Sequence, residues 1–177
     1  RCSLCSHRCL IPEGKRGFCF VRENRNGKLY SLVYGKIIAA HLDPIEKKPL
    51  YHFYPGNGAY SIASVGCNFR CEFCQNWDIS QMPKDNGGKI LGHDTTPKAV
   101  IDDATIRECK SIAYTYNEPT VCYEFHKECS DLAHKRNLKN VFVSNGFMTK
   151  EMIDDYKSLD AANIDLKAFT DEFYKKT

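Results

Sequence analysis

The sequence has no apolar run approaching twenty residues, so it offers no candidate membrane-spanning helix. It has almost no surplus of charge: 25 Lys and Arg stand against 22 Asp and Glu, a net charge of +3. That is too little to argue for a nucleic-acid or membrane surface as partner. The start, "RCSLCSHRC", has no secretory pattern. The missing initiator Met suggests that residues of a parent chain precede it. His41, His52, His93, His126 and His134 show no metal-ligand spacing with one another. An apolar content of 42% over 177 residues suffices for a packed interior, in one ordinary domain or a core with a small module.

What the sequence does have is cysteine, ten in all. A secreted disulfide scaffold is usually shorter and denser in cysteine. Here Cys2, Cys5, Cys9 and Cys19 form one tight group, and Cys67, Cys71 and Cys74 another. Tight grouping favours metal ligation over disulfides, hence a reducing, cytoplasmic compartment. Cys109, Cys122 and Cys129 fall on predicted helices and read as buried thiols.

The pattern along the chain divides it at residues 58 and 59. Residues 1–58 hold the first cysteine group, a hairpin turn at "RNGK", two short strands about Gly35 and a connector, "DPIEKKPLYHFYPGNG". By itself "DPIEKKP" reads as a solvated, charged linker. From residue 59 onward strands alternate with helices. The strands are "YSIASVG", "SIAYTY", "NVFVSNG" and "AANIDLKAF". Residues 78–96 read as a loop. Thr96 with Pro97 starts one helix, and Thr149 starts another that turns Met152, Ile153, Tyr156 and Leu159 inward. Between them "PTVCYEFHKECSDLAHKRN" forms the clearest helix, with Val121, Cys122, Phe125, Cys129, Leu132 and Ala133 in one stripe and His126 and His134 on the polar side. This is an α/β chain with a parallel sheet and right-handed crossovers. Units of about 30 residues match an eight-unit barrel of roughly 250. The chain covers about four units, so it reads as a truncated half-barrel or an open sheet.

Three cysteines in "CNFRCEFC" can be a zinc site completed by a distant residue or an iron–sulfur site. A cubane cluster usually takes four cysteines. Three leave one iron without a protein ligand, as an open position makes a zinc site catalytic. In parallel α/β sheets ligands bind beyond the carboxyl ends of the strands. Those ends carry residues 67–74, Asn117 and Glu118, Ser144 and Asn145, and Asp165 and Lys167. One pocket could collect all four. Each has a plainer reading: Glu118 as an acid at a helix N-terminus, Ser144 and Asn145 as a loop leading into a helix, Asp165 and Lys167 as an internal ion pair. The first group can close a four-cysteine site, either a structural zinc or a second cubane. Free thiols are the alternative. His7 could substitute as a ligand, but an exposed polar role suits it better.

The cysteine spacing resembles that of the radical S-adenosylmethionine (radical SAM) superfamily. The resemblance implies a partial (β/α) barrel with a small N-terminal Cys-rich module. It implies a [4Fe-4S] cluster on Cys67, Cys71 and Cys74 whose open iron chelates the amino and carboxylate groups of S-adenosyl-L-methionine (SAM). An electron from a ferredoxin- or flavodoxin-type donor then cleaves SAM to a 5′-deoxyadenosyl radical, which abstracts hydrogen from a substrate. "YTYNEP" takes the place of a Gly-Gly-Glu segment: Tyr116 and Asn117 replace the glycines, and Glu118 matches the acid that binds the SAM amino group. "VSNG" and "DLK" resemble segments of glycyl-radical-enzyme activases, which puts Ser144, Asn145, Asp165 and Lys167 near the SAM carboxylate or ribose. Val143 departs from the activases' acidic residue. Phe73 stands where an aromatic often meets adenine, and core packing is the alternative.

Over nearly its whole length the chain resembles the radical SAM protein of AmmeMemoRadiSam systems, a homologue of pyruvate formate-lyase activating enzyme. The resemblance rests on the four-Cys start, "DPIEKKPLYHFYPG", "VGCNFRCEFCQNWDIS" and "YTYNEPTV". It implies MEMO-type and AMMECR-type partners and leaves the substrate open. Two other readings stand beside it: an activase that installs a glycyl radical, and a zinc-binding interaction protein without redox chemistry.

Overall fold

The computed structural model describes residues 1–176. β1 (Arg22–Arg25) and β2 (Lys28–Ser31) form an antiparallel hairpin. Its turn residues Asn26 and Gly27 both have positive φ, at 52° and 76°, the geometry that two-residue hairpin turns demand. β3 (Lys36–Ile37) follows, then β4 (Ala39–Pro44) and a 3-10 turn at Ile45–Lys47. β5 (Gly58–Ala63) runs up to the second cysteine group.

The stretch 78–96, expected as loop, holds short elements instead. α1 (Trp77–Ser80) and α2 (Met82–Asp85) are single helical turns, and β6 (His93–Asp94) pairs antiparallel with β3. α3 (Pro97–Ile106) starts as expected, with the Thr96 hydroxyl accepting from the Ala99 N–H at 3.2 Å. β7 (Ser111–Tyr114) leads into a 3-10 turn at Pro119–Cys122 and then α4 (Tyr123–Lys135). The single helix expected from Pro119 is thus two segments. β8 (Lys139–Ser144) is followed by α5 (Lys150–Asp155), capped by the Thr149 hydroxyl. β9 (Ala161–Ile164) and α6 (Asp171–Lys176) end the described chain.

The main sheet has five strands in the order β4-β5-β7-β8-β9. β5, β7, β8 and β9 are mutually parallel, and β4 lies antiparallel on β5. Among the described residues β4 and β9 are the sheet's outer strands. The segment before residue 58 therefore supplies a strand to the sheet of the segment after it.

Strand residues alternate between two apolar layers, as a sheet covered on both faces requires. Tyr60, Ile62, Ile112, Tyr114 and Phe142 pack with Val100, Ile101, Phe125 and Cys129 of α3 and α4. Ala59, Ala113 and Val141 face the other way, against Ile45. The expected stripe of α4 is buried, with Leu132 at its edge.

Three placements differ from expectation. His126 lies inside, 2% exposed, because α4 buries a wide face. Its Nδ1 is 3.0 Å from the Pro119 carbonyl and its ring packs on Tyr114 at 4.6 Å. Ile153 is 55% exposed, since α5 ends at Asp155 and turns only Met152 inward, while Tyr156 and Leu159 pack from the loop beyond. His7 is half-buried rather than exposed: it stacks on Phe18 at 4.3 Å, and its Nε2 is 2.7 Å from the Asn68 carbonyl.

Burial holds the His126 imidazole down at about 3, against the opposing bond to Pro119. Unfolded, it titrates near 6.5. Below that pH the unfolded chain takes up a proton that the folded chain refuses, so stability falls as pH falls. Urea unfolding should show a loss of ~2 kcal/mol between pH 7 and pH 5. His126→Gln should flatten most of that loss; equal losses in both proteins would contradict the assignment.

Candidate functional site

The four polar strand ends meet in one cleft of ≈ 830 Å³. Its lining includes Cys67, Cys71 and Cys74 and every residue expected around them: Phe73, Asn117, Glu118, Ser144, Asn145, Asp165 and Lys167. The parallel sheet explains the convergence, because β5, β7, β8 and β9 all end on the same edge.

The cysteine loop leaves β5 through Gly66, whose φ is +95°. A side chain there would stand 2.6 Å from Val21 Cγ1, so Val21 packs directly on the loop. The Cys67 and Cys71 thiols are free and half-buried, as is Cys74. Burial, then the Glu118 carboxylate, pushes Cys67 up to about 12. Asn68 is fully buried, and its Nδ2 donor has no partner among the described residues. Its Oδ1 accepts from Asn145 Nδ2 at 2.8 Å.

Glu118 is 2% exposed, and its carboxylate is crowded with donors. Oε1 accepts from the Thr120 N–H at 3.1 Å, the Thr120 hydroxyl at 2.5 Å and the Ser144 hydroxyl at 2.9 Å. Oε2 accepts from the Asn145 N–H at 2.9 Å. Burial raises its proton affinity, and the bonds from Thr120, Asn145 and Ser144 oppose that rise. Asn117 donates its side-chain N–H to the Ser64 carbonyl. Asp165 and Lys167 form the internal ion pair, 2.8 Å apart, while still lining the cleft. Phe73 is 57% exposed and stacks on Phe173 with ring centres 5.7 Å apart, so it is not core packing.

Sequence reasoning missed one wall. Lys47, Lys48, Pro49, Asn76 and Tyr116 also line the cleft. The signal was in "DPIEKKP", which is not a solvated linker. Asp43 and Lys48 are 5% and 1% exposed and pair at 2.7 Å, because β4 carries Asp43 into the sheet.

The first cysteine group gathers around a second, small pocket of ≈ 20 Å³. Cys2, Cys5, Cys9 and Cys19 all line it, with Arg22, Thr120 and Val121. Burial pushes Cys5 up to about 11, and Cys19, Cys2 and Cys9 add to the rise. Arg22 is 5% exposed and bonds Glu124, but its Nε has no partner among the described residues. A buried donor without an acceptor is costly, and an anionic metal–thiolate group would satisfy it. Asn68, next to Cys67 in the chain, has a second such buried donor in its Nδ2, although it does not line the cleft. Three thiols lining one cleft have the donor chemistry of an iron–sulfur site. Among the described residues no three His, Cys, Asp or Glu side chains are drawn together around a single ion. A cubane does not require that, because each thiolate binds its own iron.

A family model described as "Radical SAM superfamily" matches residues 61–177. Uncharacterized protein MJ0808 of Methanocaldococcus jannaschii is 48% identical over 176 residues, which are 99% of this chain and 51% of that protein. Uncharacterized protein MJ0674 of the same organism is 39% identical over 82 residues, 46% of this chain and 19% of its own length. The chain thus spans about half the length of the first relative and about a fifth of the second.

The Glu118 bonds predict a stability effect independent of any cofactor. Glu118→Ala strands the Ser144 hydroxyl and the Asn145 and Thr120 N–H groups, and should lower unfolding stability by about 2–4 kcal/mol in urea titrations. A loss under ~0.5 kcal/mol would show that these bonds do not hold the site together.

Proposed function

The chain belongs to the radical SAM superfamily, and from that premise we propose that Cys67, Cys71 and Cys74 hold a [4Fe-4S] cluster whose fourth iron is left for SAM. The observation that carries this reading is the convergence of three thiols and three further polar strand ends on one cleft. When bound, the cluster would supply the electron for reductive cleavage of SAM to methionine and a 5′-deoxyadenosyl radical that abstracts hydrogen from the substrate. The electron comes from a ferredoxin- or flavodoxin-type donor.

The protein's own residues bind and orient SAM. Glu118 lines the cleft beside the Asn145 N–H, and its carboxylate serves the SAM ammonium. Asn117, Ser144 and Asn145 flank it, and Asp165 and Lys167 meet the ribose or carboxylate. Phe73 offers an exposed ring for the adenine. The lining supports these roles, and the internal bonds of Glu118 and Asn117 give both residues a structural part as well.

In the finer reading this is the radical SAM enzyme of an AmmeMemoRadiSam-type system, with MEMO-type and AMMECR-type partners and an as yet undefined substrate. The support is the motif string, together with the finding that "DPIEKKP" forms a wall of the cleft. The glycyl-radical activase ranks lower, because Val143 lines the cleft where activases place an acid. For Cys2, Cys5, Cys9 and Cys19 the reading is a structural zinc, with a second cluster as the alternative; its support is that all four thiols line one pocket, although among the described residues they are not drawn in around a single ion. Ten cysteines without a disulfide among the described residues suit a reducing cytoplasm, and no described helix is long and apolar enough to cross a membrane.

Full-length protein purified without oxygen should be brown, with about four iron and four sulfide per chain and about one zinc. About eight iron and no zinc would replace the structural zinc by a second cluster. Reduced protein with SAM should release 5′-deoxyadenosine, and Cys71→Ala should abolish the release. Colourless protein that holds only zinc after cluster reconstitution would favour the zinc-binding interaction protein.

A further inference from the structure

Tyr116 occupies a conformation that its residue type disfavours. It lies between β7 and Glu118 with φ +66°, the left-handed region where a Cβ is strained and glycine is the usual occupant. The two glycines that the resemblance expects at 116 and 117 would enter it freely. Strained residues persist only where their surroundings fix them, and they gather at functional sites.

The surroundings here are specific. The Tyr116 hydroxyl donates to Asp43 Oδ2 at 2.5 Å. Lys48 Nζ sits 4.7 Å from the centre of the Tyr116 ring and 2.7 Å from the same carboxylate oxygen. His41 meets the ring edge-on at 5.9 Å. On the other side the Tyr116 carbonyl accepts from Asn76 Nδ2 at 2.6 Å, just beyond the cysteine loop. The adjacent Asn117 is tied to Ser64 at the end of β5. The tethers come from three separate stretches: residues 41–48, Asn76 and Ser64.

Asp43 and Lys48 are buried together, so each charge depends on the other. Burial disfavours the ionised Asp43 carboxyl, yet Lys47, Lys48 and Tyr116 hold it well below the usual carboxylate range. The acceptor that Tyr116 needs is therefore a fixed anion at neutral pH. A solvated linker would have no reason to bury this pair.

We propose that Asp43, Lys48 and Tyr116 form a positioning unit that locks the turn after β7 and so fixes Asn117 and Glu118 toward SAM. The lock replaces the freedom of two glycines with a clamped aromatic residue, and it gives "DPIEKKP" its role. The SAM part rests on the functional reading above; the lock itself does not.

Two measurements on the full-length protein separate the two. The first is amide hydrogen exchange of cluster-free protein. The N–H of Asn117 is bonded to the Thr115 carbonyl and that of Thr120 to Glu118, so exchange there reports on the turn. Tyr116→Phe removes only the hydroxyl and should speed exchange over residues 115–120 at least tenfold, leaving β8 and the centre of α4 unchanged. Asp43→Asn should do the same. The second is equilibrium dialysis of SAM against protein with its full iron content. Each variant should bind SAM about tenfold more weakly, and the double variant should lose little beyond either single one. Unchanged exchange in Tyr116→Phe would overturn the lock, as would fully additive losses of SAM affinity. Wild-type protein that carries its cluster but binds no SAM would sink the functional reading alone, with the exchange result still deciding the lock.

Discussion

One buried carboxylate organises the site. Glu118 sits where β7 ends, and its oxygens gather donors from its own turn and from the end of β8. Without that acceptor, two strand ends would carry unmatched hydroxyl and amide groups in a place with little water. The bonds therefore hold Ser144 and Asn145 beside the cysteine loop, and Asn145 passes the order on to Asn68. A parallel sheet brings the strand ends to a common edge; the Glu118 bonds set them at fixed distances from one another.

The N-terminal cysteine segment is fastened to the same region. Thr149 caps α5 and also bonds back to Ser3 and Leu4. Arg8 makes a two-point pair with Glu151. His7 reaches the Asn68 carbonyl inside the second cysteine group, and Thr120 lines the pocket of the first. A metal in that first group would therefore stiffen the wall behind Glu118. The two cysteine groups differ in kind: one set of four thiols can close on itself, and one set of three cannot.

Much of this was legible in the sequence, for identifiable reasons. Strand–helix alternation exposes the parallel sheet, and the rule that ligands sit beyond carboxyl ends gathers the polar strand ends into one pocket. Thr96 and Thr149 marked helix starts because a capping hydroxyl is a local signal. The misses are non-local. "DPIEKKP" looks solvated because charge usually is, and only the antiparallel pairing of β4 with β5 shows that Asp43 and Lys48 are inside. His126 looks polar on a helical wheel, yet α4 buries a wide face against β7 and β8. Tyr116 looked like a departure from a glycine pair; its left-handed backbone and its hydroxyl bond to a residue 73 positions earlier cannot be read from the turn itself.

The central claim is that the missing fourth thiol at 67–74 is a seat for SAM on iron. Electron–nuclear double resonance of the reduced cluster with SAM carrying ¹⁵N in its amino group tests it most directly. The account predicts a ¹⁵N coupling large enough to require direct bonding of that nitrogen to iron, present in wild-type protein. A fully reduced cluster that binds SAM yet shows no such coupling would contradict it.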